Sequence, residues 1–276
     1  PELMQGLSAQ ADDLSTLLGV LTFNLGKPGF WYSLIYTLLI IVFGYKRIAR
    51  RQTPYVKWQT LSLGAVQIVP LFLLPYIILP YLGHNGVFDT GWAKGLADAL
   101  FPEVDYDHGR EYWRASGLVL AWPLFVWNVF SGEPLWWWLA ISVVQTFVLL
   151  PLIIYFWGKG AYCGWICSCG ALAETLGDAH REKMPHGPGW NRLNLLGQGI
   201  LAVATALLIL RVGAWLFPGL MGSGTAVGSL YSGALSGWSL GPLALNYAWV
   251  VDICLAGVLG VGLYFWFSGR TWCRFA

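Results

Sequence analysis

Residues 134–170 read "PLWWWLAISVVQTFVLLPLIIYFWGKGAYCGWICSCG". The stretch 134–157 carries no Asp, Glu, Lys or Arg. As a helix rising 1.5 Å per residue it extends about 36 Å, enough to cross the roughly 30 Å hydrocarbon core of a bilayer. Glycines follow at 158, 160 and 164, and Cys163, Cys167 and Cys169 fall within seven positions. The pattern is a membrane helix whose exit gathers thiols.

The rest of the chain shares this character. It is 57% hydrophobic and only 11% charged, well outside the composition of soluble globular domains. The expected fold class is an all-α integral membrane protein. About five transmembrane helices are expected, at 28–45, 58–83, 134–157, 193–216 and 246–267. A sixth apolar stretch, "SGLVLAWPLFVWNVF" at 116–130, is shorter and holds a proline. A net charge of +2 without a basic stripe excludes nucleic acid as a partner and leaves membrane lipid as the surroundings. Residues 1–27 lack the basic start and cleavage site of a signal peptide. They read as a surface segment, with "DDLSTLLGVLTFNLGK" as an amphipathic helix on the membrane. Five cysteines, an odd count, argue against a disulfide framework.

Positive charge orients the spans. "YKRIARRQTPYVK", with Lys46, Arg47, Arg50, Arg51 and Lys57, belongs in the cytoplasm. The second span then leads out to the loop 84–115, which holds six acidic residues. The cysteine loop 158–192 carries Lys159, Arg181, Lys183 and Arg192 and also belongs inside. Both basic loops lie inside only if 116–130 does not cross, so that segment is expected to be re-entrant or interfacial; the alternative is six spans. "LWWWL" at 135–139 reads as an aromatic belt. The organisation is then a membrane region 28–133 and a core 134–276, in a multi-pass membrane protein.

"YFWGKGAYCGWIC" (155–167) and "YFWFSGRTWCRFA" (264–276) repeat one another, with one residue inserted in the second. Each follows an apolar span with Tyr-Phe-Trp, a glycine, an aromatic residue and a cysteine. Two such exits on one face bring Cys163, Cys167 and Cys273 toward a common centre. A four-iron cluster needs four thiolates, which a single C-x3-C pair does not supply. Zinc also takes four ligands and stays open as the alternative metal.

These motifs resemble the NosR/NapH-like membrane polyferredoxin family, over roughly residues 134–276. That resemblance implies 4Fe-4S electron transfer in a bacterial inner membrane, with paired C-x3-C-P motifs at cytoplasmic helix ends. It also implies a soluble domain with two ferredoxin-type clusters beyond residue 276. By resemblance, Cys163, Cys167 and Cys273 are the motif cysteines. Ser168 stands where the family has proline, the second motif is incomplete, and Cys169 is an additional candidate ligand read from this sequence alone.

Other residues carry weaker signals. Cys254 lies in an apolar span and reads as packing. His84, His108, His180 and His186 read as loop histidines, with no bis-histidine haem pair. Asp252 is acidic inside a span, by default a functional position; Arg211 lies at a similar depth in the preceding span, so the two are expected to form an intramembrane ion pair. Pro70, Pro75 and Pro80 recur every five residues and should loosen the second span. The Gly-rich loop 217–245 lacks the Gly-Lys-Ser/Thr end of a phosphate loop and reads as an outer connector.

The expected function is a membrane electron-transfer subunit, read as a component of an oxidoreductase system in preference to a stand-alone enzyme. Its iron–sulfur centre would relay electrons between ferredoxin-type clusters and a redox partner protein or quinone, within a larger membrane complex. The alternative is a structural or assembly subunit whose cysteines hold zinc or no metal. A transporter, hinted at by Asp252 and the proline-broken span, is a third reading.

Overall fold

The computed structural model describes residues 10–120, 135–183, 187–222, 224–236, 238–240 and 243–245. Among these the chain is mostly helical. The described residues of Pro1–Ala121 and Leu135–Ala171 form one unit, and those of Trp122–Pro134 and Leu172–Ala276 a second.

In the first unit, α1 (Leu17–Asn24) starts where Thr16 Oγ1 accepts from the Gly19 N–H. α2 (Pro28–Arg51) opens on a proline, whose missing N–H costs nothing at a helix start. It ends at Gln52, φ 48°, whose N–H bonds the Ile48 carbonyl. α3 (Pro54–Ile68) follows at once, capped by Thr53. The basic segment is thus the tight turn of a helical hairpin. Arg47 is buried in that hairpin and donates at 2.7 Å to Thr60 Oγ1 and Gln59 Oε1.

α3 continues through a π-helical run, Val69–Ile78, into α4 (Leu79–His84). The prolines explain the run. Pro70, Pro75 and Pro80 have no N–H for the carbonyls four residues back, those of Val66, Leu71 and Tyr76. Around these gaps the helix widens to an i→i+5 spacing, as in Leu79 N–H to the Leu74 carbonyl. Asn24 Nδ2 donates at 2.6 Å to the Tyr76 carbonyl, the one Pro80 cannot serve. The loosening expected from the prolines takes this form.

Segment 84–115 folds with α5 (Gly91–Leu100), a 3₁₀ run Tyr112–Leu118 and a bridge between Glu103 and Arg110. Arg110 pairs with Asp98 at 2.6 Å and Glu103 at 2.7 Å. Its core is Phe101, Tyr112, Ala115 and Trp138. Trp138 comes from α6 (Trp136–Val144), which runs through a π turn, Gln145–Leu149, into α7 (Leu150–Trp157). Of the tryptophans expected to form the belt, Trp136 and Trp137 are 50% and 62% exposed, while Trp138 is fully buried. α8 (Lys159–Trp165) and α9 (Ser168–Glu174) follow α7.

The second unit holds a 3₁₀ run Leu176–Lys183, α10 (Pro188–Leu216), α11 (Pro218–Met221), α12 (Ala226–Ser236), and a hairpin of β1 (Trp238–Leu240) with β2 (Leu243–Leu245). Segment 217–245, expected as a plain connector, carries these short elements.

Among the described residues three helical stretches are long and apolar enough to cross a membrane: Pro28–Arg51, Pro54–His84 and Trp136–Trp157. They coincide with the first three expected spans. The fourth, 193–216, lies in α10, whose shorter apolar part is Thr205–Leu216. Residues 246–267 and 121–130 lie outside the described residues, as does Asp252. Its expected partner Arg211 sits with its guanidinium carbon 4.6 Å from the Trp215 ring centroid.

Candidate functional site

The thiol turn begins at Gly158, φ 81°, a left-handed conformation that strains any L side chain. Its N–H closes α7 on the Ile154 carbonyl at 2.9 Å, and the chain then bends into α8. α8 carries Cys163, half-buried, and ends where the Ile166 and Cys167 N–H groups share the Tyr162 carbonyl, at 3.0 and 3.1 Å. Cys167 is buried and Cys169 half-buried; no disulfide joins the three.

Side chains from the first two spans hold this turn. Ser62 Oγ donates to the Trp165 carbonyl at 3.2 Å and Gln67 Nε2 to the Ile166 carbonyl at 3.0 Å. The Tyr36 hydroxyl shares its hydrogen between Gln67 Oε1 at 3.1 Å and the Ser168 carbonyl at 3.3 Å. The N–H groups of Gly170 and Cys169 act as donors toward the Cys167 sulfur. The Cys169 thiol bonds it too and is the largest of these influences; burial opposes them, yet the Cys167 pKa falls to about 6. The thiolate, the form that ligates metal, is favoured. Burial, with the charges of Cys167, Cys163 and Cys169 in support, pushes the Tyr162 phenol up. All three thiols thus lie within electrostatic reach of one hydroxyl.

Gly170 permits the close approach of α9 to α8. A Cβ there would run into the Cys163 carbonyl, a backbone atom that has no flexible way to yield. Gly170→Ala is therefore expected to force the turn open at a cost of about 1–3 kcal/mol. Bound metal per chain should fall, measured beside Gly160→Ala, where a Cβ meets nothing within 4 Å.

The donor set fits an iron–sulfur cluster in chemistry: closely spaced thiols, one favoured as thiolate, with amide donors on the sulfur. Among the described residues no group of three or more His, Cys, Asp and Glu side chains closes into a metal site. Cys273, the expected partner, lies outside those residues, as does Cys254.

Comparison with known proteins bears on this turn directly. Residues 137–185 match the family described as 4Fe-4S binding domain. The cofactor of this segment is an iron–sulfur cluster. The chain is 28% identical over 152 residues to protein NirI of Paracoccus denitrificans, 55% of this chain and 17% of that protein. It is 36% identical over 58 residues to regulatory protein NosR of Pseudomonas aeruginosa, 21% of this chain and 7% of the relative. Against regulatory protein NosR of Stutzerimonas stutzeri it is 35% identical over 62 residues, 22% of this chain and 8% of the relative. The resemblance to the NosR group seen in the motifs is thus supported, and the chain spans less than a fifth of the length of these curated relatives. No solved structure matches.

A second polar site escaped the sequence reading. His84 Nε2 lies 3.0 Å from His108 Nδ1, and His108 Nε2 lies 3.1 Å from Asn24 Oδ1. His108, read as a loop histidine, is buried. Only folding places residues 24, 84 and 108 together; the one local signal is Pro80, which leaves the Tyr76 carbonyl for Asn24. Burial, helped by the Lys27 and His84 charges, lowers the His108 pKa to about 3. A folded-state value below the unfolded one means that the folded protein resists protonation. The stability held by neutral His108 is complete above about pH 6.5 and is lost as pH falls from there toward 3. The thermal midpoint is expected to drop across that window, and the drop should shrink in His108→Gln.

Proposed function

We propose that the chain is the membrane part of an electron-transfer protein, with its iron–sulfur centre at the cytoplasmic face. Cys163 and Cys167 from one helix exit, and Cys273 with a further thiolate from the other, hold the cluster; Cys169 is either a ligand or a donor to Cys167. The cluster, when bound, supplies one-electron chemistry. The chain's own part is to hold the thiols as thiolates, aim amides at their sulfurs and fix the turn to the membrane helices. Electrons pass between ferredoxin-type clusters and a redox partner or quinone, within a larger complex in a bacterial inner membrane. Five spans, with 116–130 not crossing, complete the arrangement.

The carrying observation is the thiol turn itself, inside a 4Fe-4S binding segment and anchored by Tyr36, Ser62 and Gln67. The basic turn Lys46–Lys57 supports the cytoplasmic assignment of its own face. Iron and acid-labile sulfide in the full-length protein, with low-temperature EPR before and after reduction, test the reading. A reducible signal supports it. Zinc in place of iron would move the structural subunit to the front. Labelling of single cysteines placed at Lys57 and Asp105 with an impermeant reagent tests sidedness, and reaction of the Lys57 site from outside would overturn the orientation.

A further inference from the structure

The amide of Asn24 decides where the protons of the histidine pair sit. Its nitrogen lies 3.0 Å from the Val20 carbonyl and 2.6 Å from the Tyr76 carbonyl. Both only accept, so nitrogen is the atom that faces them. Oδ1 then faces His108, and His108 Nε2 must donate to it. Held neutral, His108 has its lone pair on Nδ1 and accepts there from His84 Nε2–H. One nitrogen remains, His84 Nδ1, which makes no hydrogen bond with the described residues. His84 lines a cavity of about 400 Å³ together with Asp89, Glu103, Asp105, His108 and Arg110.

We propose that His84 and His108 form a proton-binding site in which His84 Nδ1 takes a single proton from the cavity and the pair carries one positive charge. An N–H bond forms at Nδ1 as the O–H bond of a hydronium or buffer acid breaks, and no electrons change hands. The imidazolium keeps its Nε2–H on His108, and that bond becomes charge-assisted. Asn24 cannot pass the proton on, because its nitrogen is committed to two carbonyls. The chain therefore stores a proton and does not conduct it.

The surrounding charges agree. Asp89, Glu103 and Asp105 line the cavity, and Asp107 Oδ1 lies 4.0 Å from His108 Nε2. Opposing them, Lys27 is paired with Asp107, Arg110 with Asp98 and Glu103, and Arg114 with Glu111. Tyr112 lines the cavity as a phenol held protonated, first by burial. His84 stands 17 to 22 residues past the Gln67 and Ser62 anchors of the thiol turn on one continuous helix, about 25–33 Å away along the axis. The proton site lies at the end of that helix and the thiol-turn anchors in its first half, and the inference stands apart from the cluster.

Nitrogen-15 NMR of histidine-labelled full-length protein, titrated from about pH 8 to pH 4, tests the proposal. His108 should carry its hydrogen on Nε2 throughout, while His84 passes from the Nε2–H tautomer to imidazolium, with one proton gained per pair. His84→Gln assigns the signals and should abolish that uptake, leaving His108 neutral. A hydrogen on His108 Nδ1, or two protons gained over the range, overturns the proposal. So does uptake at His108 in the variant. Should the variant fail to fold, the wild-type titration decides alone.

Discussion

Full-length protein carrying Cys163→Ser together with Cys167→Ser is expected to lose one reducible EPR signal completely, with a fall of about four iron atoms per chain. Serine preserves the shape of cysteine, but its hydroxyl does not ionise near neutral pH and cannot replace a thiolate. The effect should be all-or-none because Cys167 is buried, with the Gly170 and Cys169 amides on its sulfur. Those donors have no use without a negative sulfur to receive them. Any clusters held by other segments should keep their signals, so the spectrum loses one component and retains the rest. Cys169→Ser divides the two roles left to that residue: loss of the signal makes it a ligand, and a surviving signal with altered shape makes it a donor to Cys167. An unchanged spectrum in the double variant would remove the cluster from this turn.

Trp138→Ala is expected to cost about 3–5 kcal/mol of stability. The side chain is fully buried, its indole N–H donates to the Leu100 carbonyl at 2.6 Å, and its ring lies 6.3 Å from that of Phe101. Truncation opens a cavity where α6 meets the folded segment 84–115 and strips the Leu100 carbonyl of its donor. Trp138→Phe fills most of the space but not the hydrogen bond and should fall between, since an unsatisfied buried acceptor costs about 1–3 kcal/mol. Trp137→Ala, one residue away and 62% exposed, should change stability by less than about 0.5 kcal/mol. Thermal midpoints of the three variants in the same detergent check the ranking. Equal losses at Trp137 and Trp138 would show that this core does not carry the segment.

The contrast between those neighbours marks what was legible in the chain. Apolar runs of sufficient length stand out because a bilayer demands them, and the three membrane-length helices among the described residues fall where the first three runs are. The cysteine motif was legible too, since glycine, aromatic and thiol spacing reflects a local backbone turn. Pro70, Pro75 and Pro80 announced a loosened helix because the missing N–H is a property of the residue.

Composition did not separate Trp138 from Trp136 and Trp137, because a helix turns each residue by about 100° and only the neighbouring segment decides which face is covered. His84 and His108 looked like ordinary loop residues for the same reason. Their pairing depends on Asn24, 60 and 84 positions earlier, reaching a carbonyl that Pro80 leaves open. By itself the sequence determined the elements set by local chemistry: membrane-length helices, a proline-loosened span and a thiol turn. Tertiary structure alone decided which donors hold that turn and where a histidine is buried, because those contacts join residues that only the packed helices bring within hydrogen-bond reach.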